Sequence, residues 1–151
     1  HLQTNKAKTA VQLFDLIHSV DSVRLAQEIS KRAGALGEVM PVLLEVNIAG
    51  EEAKSGFRLL DRERFFTDAA EIVTLPNLRV DGLMTMALYS PSAEEARPIF
   101  RALRELRDEL RRCLPSCEWA HLSMGMSGDY HVAIAEGATM LRIGTAIFGE
   151  R

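Results

Sequence analysis

Cysteine is scarce in this sequence. Cys113 and Cys117 flank Pro115, and no cluster of Cys or His accompanies them. That excludes a disulfide scaffold, argues against a metal site, and leaves a reduced, cytoplasmic pair as the expectation. An excess of either charge is lacking too: 18 Lys and Arg stand against 21 Asp and Glu, a net charge of −3. No overall basic field draws nucleic acid or anionic lipid to such a chain. No apolar run approaches the ~18 residues that a membrane-crossing helix needs, and no segment reads as a secretory leader. Short-period repeats, low-complexity stretches and linkers are missing as well, so residues 1–151 read as a single domain. What is present is 47% hydrophobic and 26% charged residues, ordinary values for a globular domain.

Strand-like and helix-like pieces alternate. DLIHSV (15–20) reads as a short strand, followed by Asp21 or Ser22 as the cap of a helix VRLAQEISKRAGAL that Gly34 and Gly37 end. PVLLEVNIA (41–49) is an apolar, β-branched strand entered through Pro41. A polar stretch then leads to a helix over 61–74, closed by Pro76. LRVDGLMTMA (78–87) is the next strand, and Ser92 is placed to cap a helix running to Cys113. EWAHLSM (118–124) reads as a strand, DYHVAIAEG (129–137) as a short helix, and TMLRIGTAIFG (139–149) as a strand running into a phosphate-type turn.

This spacing predicts parallel βαβ units with right-handed crossovers and strands buried on both faces. Five strands do not close an eight-stranded β/α barrel, which typically takes ~250 residues. The chain is therefore an open α/β sheet or the last five units of such a barrel.

The chemistry concentrates at the end. In MLRIG, alternation puts Arg142 and Gly144 on one face of a strand, with Leu141 and Ile143 on the other. A buried arginine costs several kcal/mol without a partner, so it either snorkels to a surface carboxylate or meets an anion. Gly144 and Thr145 favour the anion, because a glycine lets backbone N–H groups approach it and a hydroxyl adds a donor. MGMSGD repeats the pattern one strand earlier with Gly125, Ser127 and Gly128. In β/α barrels, the loops after the last two strands commonly form a phosphate site. Elsewhere the bland assignments prevail. Met84, Met86, Met124 and Met126 read as core filler, His18 and His121 as satisfied core histidines, and RALRELRDELRRC as a solvated helix face. Glu45 and Asp81 are acids inside apolar runs that either orient a ligand or pair with a base such as Arg79.

Taken together, HLQTNKAK, IHSVDS, GLMTMA, LSMGMSGD and RIGTAIFG resemble the pyridoxal phosphate homeostasis proteins, relatives of the alanine racemase N-terminal barrel. The resemblance runs from Leu2 to Gly149. It implies a (β/α)8 TIM barrel of PLP fold-type III, of which this chain carries about the last five βα units. It also implies a cytoplasmic protein that binds pyridoxal 5'-phosphate (PLP) in intracellular PLP homeostasis without catalytic turnover. Carried over residue by residue, the phosphate grip falls on Ser123, Ser127, Gly144 and Thr145, and the arginine facing the pyridine nitrogen on Arg142. No metal ligand and no catalytic residue is implied. The family's Schiff-base lysine lies on a strand upstream of HLQTNK. Lys6, Lys8, Lys31 and Lys54 do not match it, so that lysine is expected to be absent from this chain. The alternatives are a racemase-like PLP isomerase, which would need a second base from another domain or subunit, usually a tyrosine (the tyrosines here are Tyr89 and Tyr130), and a generic site for a phosphate or sulfate ion. Neither tyrosine stands in a suggestive motif. The unpaired edges of an open parallel sheet are expected to invite self-association or swapping.

Overall fold

The computed structural model describes residues 1–51, 54–88 and 90–149. Its sheet is parallel and runs in the order β1 (Ile17–Val20), β2 (Met40–Asn47), β4 (Leu78–Met84), β5 (His121–Met126), β6 (Met140–Arg142). A two-residue strand, β3 (Phe57–Arg58), pairs with the end of β2. Helices α2 (Val23–Leu36), α3 (Arg62–Val73), α4 (Arg97–Cys113) and α5 (Tyr130–Ala135) fill the connections, preceded by α1 (Ala7–Leu13) and followed by α6 (Thr145–Phe148). The arrangement is an incomplete β/α barrel, with β1 and β6 as its edges.

Register divides the sheet into two chemically different faces. Leu44, Leu83 and Leu122 stand side by side across β2, β4 and β5, fully buried in the core. Into the same core α4 sends Phe100, Leu103, Leu106 and Leu110, all at most 1% exposed and on one face of the helix. Each such side chain contributes about 1.5–3 kcal/mol by leaving water. One residue further along the strands, Glu45, Met84 and Ser123 form the neighbouring row on the opposite face. That face is polar, and it carries the site. Register shifts interrupt β1–β2, β2–β4 and β5–β6, and such bulges bend a strand and re-aim its side chains.

Several boundaries differ from the sequence expectation. Ser22 is the cap of α2, its hydroxyl accepting from Leu25 N. Gly37 ends that helix in the left-handed region (φ 72°). Gly34, expected to share that role, lies inside the helix, where a Cβ would come within 2.7 Å of the Asn77 side chain. Ser92 caps no helix with its side chain; a 3-10 turn, Ala93–Ala96, intervenes before α4. The strand expected over 139–149 stops at Arg142. Ser127 Oγ accepts from both Gly144 N and Ala146 N, which curls the chain into α6 instead of extending it. Helix α1 and strand β3 were not anticipated.

A cleft at the ends of β4, β5 and β6

Beyond the C-terminal ends of β4, β5 and β6 lies a cleft of about 400 Å³, within the ~300–1,000 Å³ usual for small-ligand sites. The turn after β5 forms one wall. Its geometry is fixed by Asp129, whose Oδ1 accepts from Met126 N at 2.6 Å while its own N–H donates to Met126 O at 3.1 Å. That turn presents Ser127 and Gly128 to the cleft. The end of β6 supplies Arg142, Gly144 and Thr145. Opposite them stand Leu88, Ser90 and the 3-10 turn that precedes α4.

Arg142 is the centre of the polar face. Its Nη1 donates to Ser123 Oγ at 2.7 Å and its Nη2 to Thr85 O at 2.9 Å. Both acceptors are fully buried. These are the bonds Arg142 makes among the described residues, so two of its five N–H groups are engaged. Burial pulls the guanidinium down from its ordinary value, while Asp129 and Glu45 pull it back up; it remains a cation throughout the physiological range. Ser123 also bonds His18 Nδ1, at 3.0 Å. Burial, the Arg142 charge and His121 together lower the His18 pKa below its ordinary 6.5. Glu45 is 2% exposed, and its Oε2 has no hydrogen-bond partner among the described residues. Burial is the main influence on that carboxyl, raising its pKa.

Four of the five residues singled out from the sequence, Ser127, Arg142, Gly144 and Thr145, therefore line one cleft. Ser123 does not line it; it lies buried behind the guanidinium. Of the histidines, His18 is hydrogen-bonded into the site, whereas His121 Nδ1 lies 3.4 Å from Thr139 Oγ1. Met124 is core, Met84 is buried on the face of Glu45 and Ser123, and Met126 is 36% exposed at the cleft. Asp81 binds Arg79 through two bonds of 2.7 and 2.8 Å. None of the four lysines lines the cleft; Lys54 pairs with Glu51 and reaches Ala87 O at 3.4 Å. Tyr130 is 42% exposed and packs edge-on against His131, while Tyr89 lies outside the described residues. The charged face of α4 is only partly solvated. Arg97, Arg101 and Arg104 converge on Glu136 at the end of α5, at 3.0, 3.0 and 3.2 Å. The arginines beside it hold the Glu136 carboxyl below the usual carboxylate range. This clamp joins the helix behind one wall of the cleft to the helix behind the other.

The donor set suits a phosphorylated pyridine. Hydroxyls and backbone N–H groups at Ser127, Gly144, Thr145 and Ala146 have the donor chemistry that phosphate oxygens accept, and a guanidinium at the same cleft has the donor chemistry for a ring nitrogen. Comparison with known proteins gives the same direction. The sequence model described as "Alanine racemase, N-terminal domain" matches residues 1–151. A pyridoxal phosphate homeostasis protein of Aquifex aeolicus is 51% identical over 154 residues, and the match covers 99% of this chain but 64% of that protein. The chain thus spans slightly under two thirds of that relative's length. The structure of PipY from Synechococcus elongatus with PLP bound superposes with a TM-score of 0.88 at 37% identity, covering 99% of this chain and 68% of PipY. An alanine racemase of Clostridium difficile, at 17% identity and a TM-score of 0.79, covers 100% of this chain and 38% of that enzyme, a likeness of fold alone.

Proposed function

The chain belongs to the alanine racemase N-terminal domain family, and from that premise we propose that it binds pyridoxal 5'-phosphate and serves PLP homeostasis by holding and releasing the cofactor. The observation that carries this reading is Arg142. It is anchored on Ser123 and Thr85 and opens onto the cleft that Ser127, Gly144 and Thr145 also line. When bound, PLP supplies an aldehyde and a ring that can draw off electron density. Arg142 has no acceptor and keeps its proton. It therefore pairs with an unprotonated ring nitrogen and leaves the ring a weaker electron sink than a carboxylate partner would. That electronic setting suits storage and hand-over better than carbanion chemistry.

In this reading Ser127, Gly144 and Thr145 hold the phosphate, with the Gly144 and Ala146 N–H groups turning to it from Ser127 Oγ. Ser123 fixes the guanidinium instead of touching phosphate. A racemase reading has less support: Tyr130 is 42% exposed, packs edge-on against His131 and is not among the residues lining the cleft. The free thiols of Cys113 and Cys117 suit a reducing compartment, and we place the protein in the cytoplasm. Among the described residues no helix is long and apolar enough to cross a membrane.

Calorimetric titration of the intact protein with PLP, pyridoxal and inorganic phosphate tests the proposal. Two charge-assisted bonds to phosphate at ~1.5 kcal/mol each predict that pyridoxal binds roughly 100-fold more weakly than PLP. Inorganic phosphate should bind weakly and compete with PLP. Equal affinity for pyridoxal and PLP would remove the phosphate grip from the account. PLP binding no tighter than that of inorganic phosphate would reduce the cleft to a plain anion site. Turnover of alanine by the PLP-loaded protein would move it to the racemases.

A further inference from the structure

Ser123 Oγ is shared by two neighbours whose hydrogen-bonding abilities differ. Arg142 offers only donors, so towards its Nη1 at 2.7 Å the serine oxygen must accept. The hydroxyl proton then remains to be placed. Ser123 is fully buried, and among the described residues its one other side-chain partner is His18 Nδ1 at 3.0 Å. If that nitrogen carried a proton it would donate to the same oxygen, and the hydroxyl proton would have no acceptor, which buried polar groups rarely tolerate. Ser123 Oγ and His18 Nδ1 are both satisfied in one arrangement alone: His18 neutral, protonated at Nε2, and accepting the Ser123 proton at Nδ1.

We propose that His18 is a positioning residue for the cofactor. By accepting the Ser123 proton it turns the serine lone pairs to Arg142 and holds the guanidinium aimed into the cleft. The inference rests on the assignment of the cleft to PLP. It extends that assignment to a residue on the far edge strand, β1, that never lines the cleft. Protonation of His18 breaks the chain of bonds and sets an imidazolium against the Arg142 cation. The charged and titratable groups that act on His18 are Arg142 from β6 and His121 from β5. Glu45, on the intervening β2, has its pKa raised by burial, while the Arg142 charge pulls it the other way. Cofactor binding should therefore carry an acid limb that belongs to His18.

The test uses pyridoxamine 5'-phosphate as probe and the intact protein as wild type, His18→Asn and His18→Leu. Asparagine keeps an acceptor near the Nδ1 position but does not titrate; leucine has none. At about pH 8, His18→Asn should bind within about threefold of wild type, and His18→Leu about five- to tenfold more weakly, the loss expected of one hydrogen bond. Phosphate monoesters titrate near pH ~6 themselves, so the readout is the difference between profiles. Wild type should lose affinity on acidification more steeply than His18→Asn. Nitrogen-15 NMR of the ligand-free protein should report the Nε2–H tautomer for His18. An Nδ1–H tautomer, or acid limbs that coincide in wild type and His18→Asn, would overturn the proposal while leaving the PLP site standing. Failure of wild type to bind the probe at any pH would overturn the PLP assignment and this proposal together.

Discussion

Replacing Arg142 with methionine separates the two halves of the cleft. Methionine roughly fills the volume of the arginine stem, so packing is conserved and the guanidinium alone is lost. In the ligand-free protein the change removes the bonds to Ser123 Oγ and Thr85 O, at 2.7 and 2.9 Å. Ser123 retains His18, but the fully buried Thr85 carbonyl is left without that partner. An unsatisfied buried acceptor costs about 1–3 kcal/mol. Relief from burying a cation offsets part of this, so the net loss should be about 1–2 kcal/mol, a fall in Tm of a few degrees. Binding responds more strongly. A charge-assisted bond to the ring nitrogen contributes about 1.5–3 kcal/mol, so pyridoxamine 5'-phosphate should bind roughly 10- to 150-fold more weakly. Inorganic phosphate has no ring nitrogen and should lose about two- to threefold, through weaker and screened attraction. Calorimetry on wild type and Arg142→Met with both ligands reads the two factors side by side. An equal loss for both would make Arg142 an ordinary phosphate cation, and unchanged affinity for the pyridine ligand would refute the ring contact.

Three further substitutions probe the frame around this site. Ser127→Ala removes the acceptor shared by Gly144 N and Ala146 N; it should cost about 1 kcal/mol of stability and several-fold in phosphate affinity, and an unchanged phosphate titration would argue against the turn as the grip. Glu45 has a raised pKa because of burial, so its contribution to stability is present below about pH 4.5 and is lost as pH rises through the folded-state value. Glu45→Gln should accordingly raise Tm at about pH 8 and change it little near pH 4; a lower Tm at the alkaline end would mean that the carboxylate has a cationic partner. Gly82→Ala would set a Cβ 2.0 Å from His121 O, a backbone atom that cannot swing aside. Separation of β4 from β5 should follow, costing more than about 3 kcal/mol, and a melting curve like that of wild type would contradict the close approach of these strands.

The parallel βα plan was legible because its strands are short apolar runs separated by caps and glycines. Alternation within MLRIG also puts Arg142 and Gly144 on one face, apart from Leu141 and Ile143. The end of β6 was not legible, because it is set by Ser127, which captures backbone N–H groups 17 and 19 residues away. Helix α1 escaped notice because its buried residues are the small Ala7 and Ala10 with Val11, a weak apolar signal. The family resemblance gives Ser123 to the phosphate grip, yet it lies buried and bonded to Arg142, and no sequence pattern reveals a carbonyl partner such as Thr85 O. The arginines of α4 are spaced to share a face at 97, 101 and 104, but only packing brings that face to Glu136.

The most direct measurement is a crystal structure of the intact protein with pyridoxamine 5'-phosphate. The account predicts phosphate oxygens within hydrogen-bond distance of Ser127 Oγ and of the Gly144 and Ala146 N–H groups, and the ring nitrogen facing the Arg142 guanidinium. Phosphate held elsewhere, with Arg142 turned away from the ring, would contradict it.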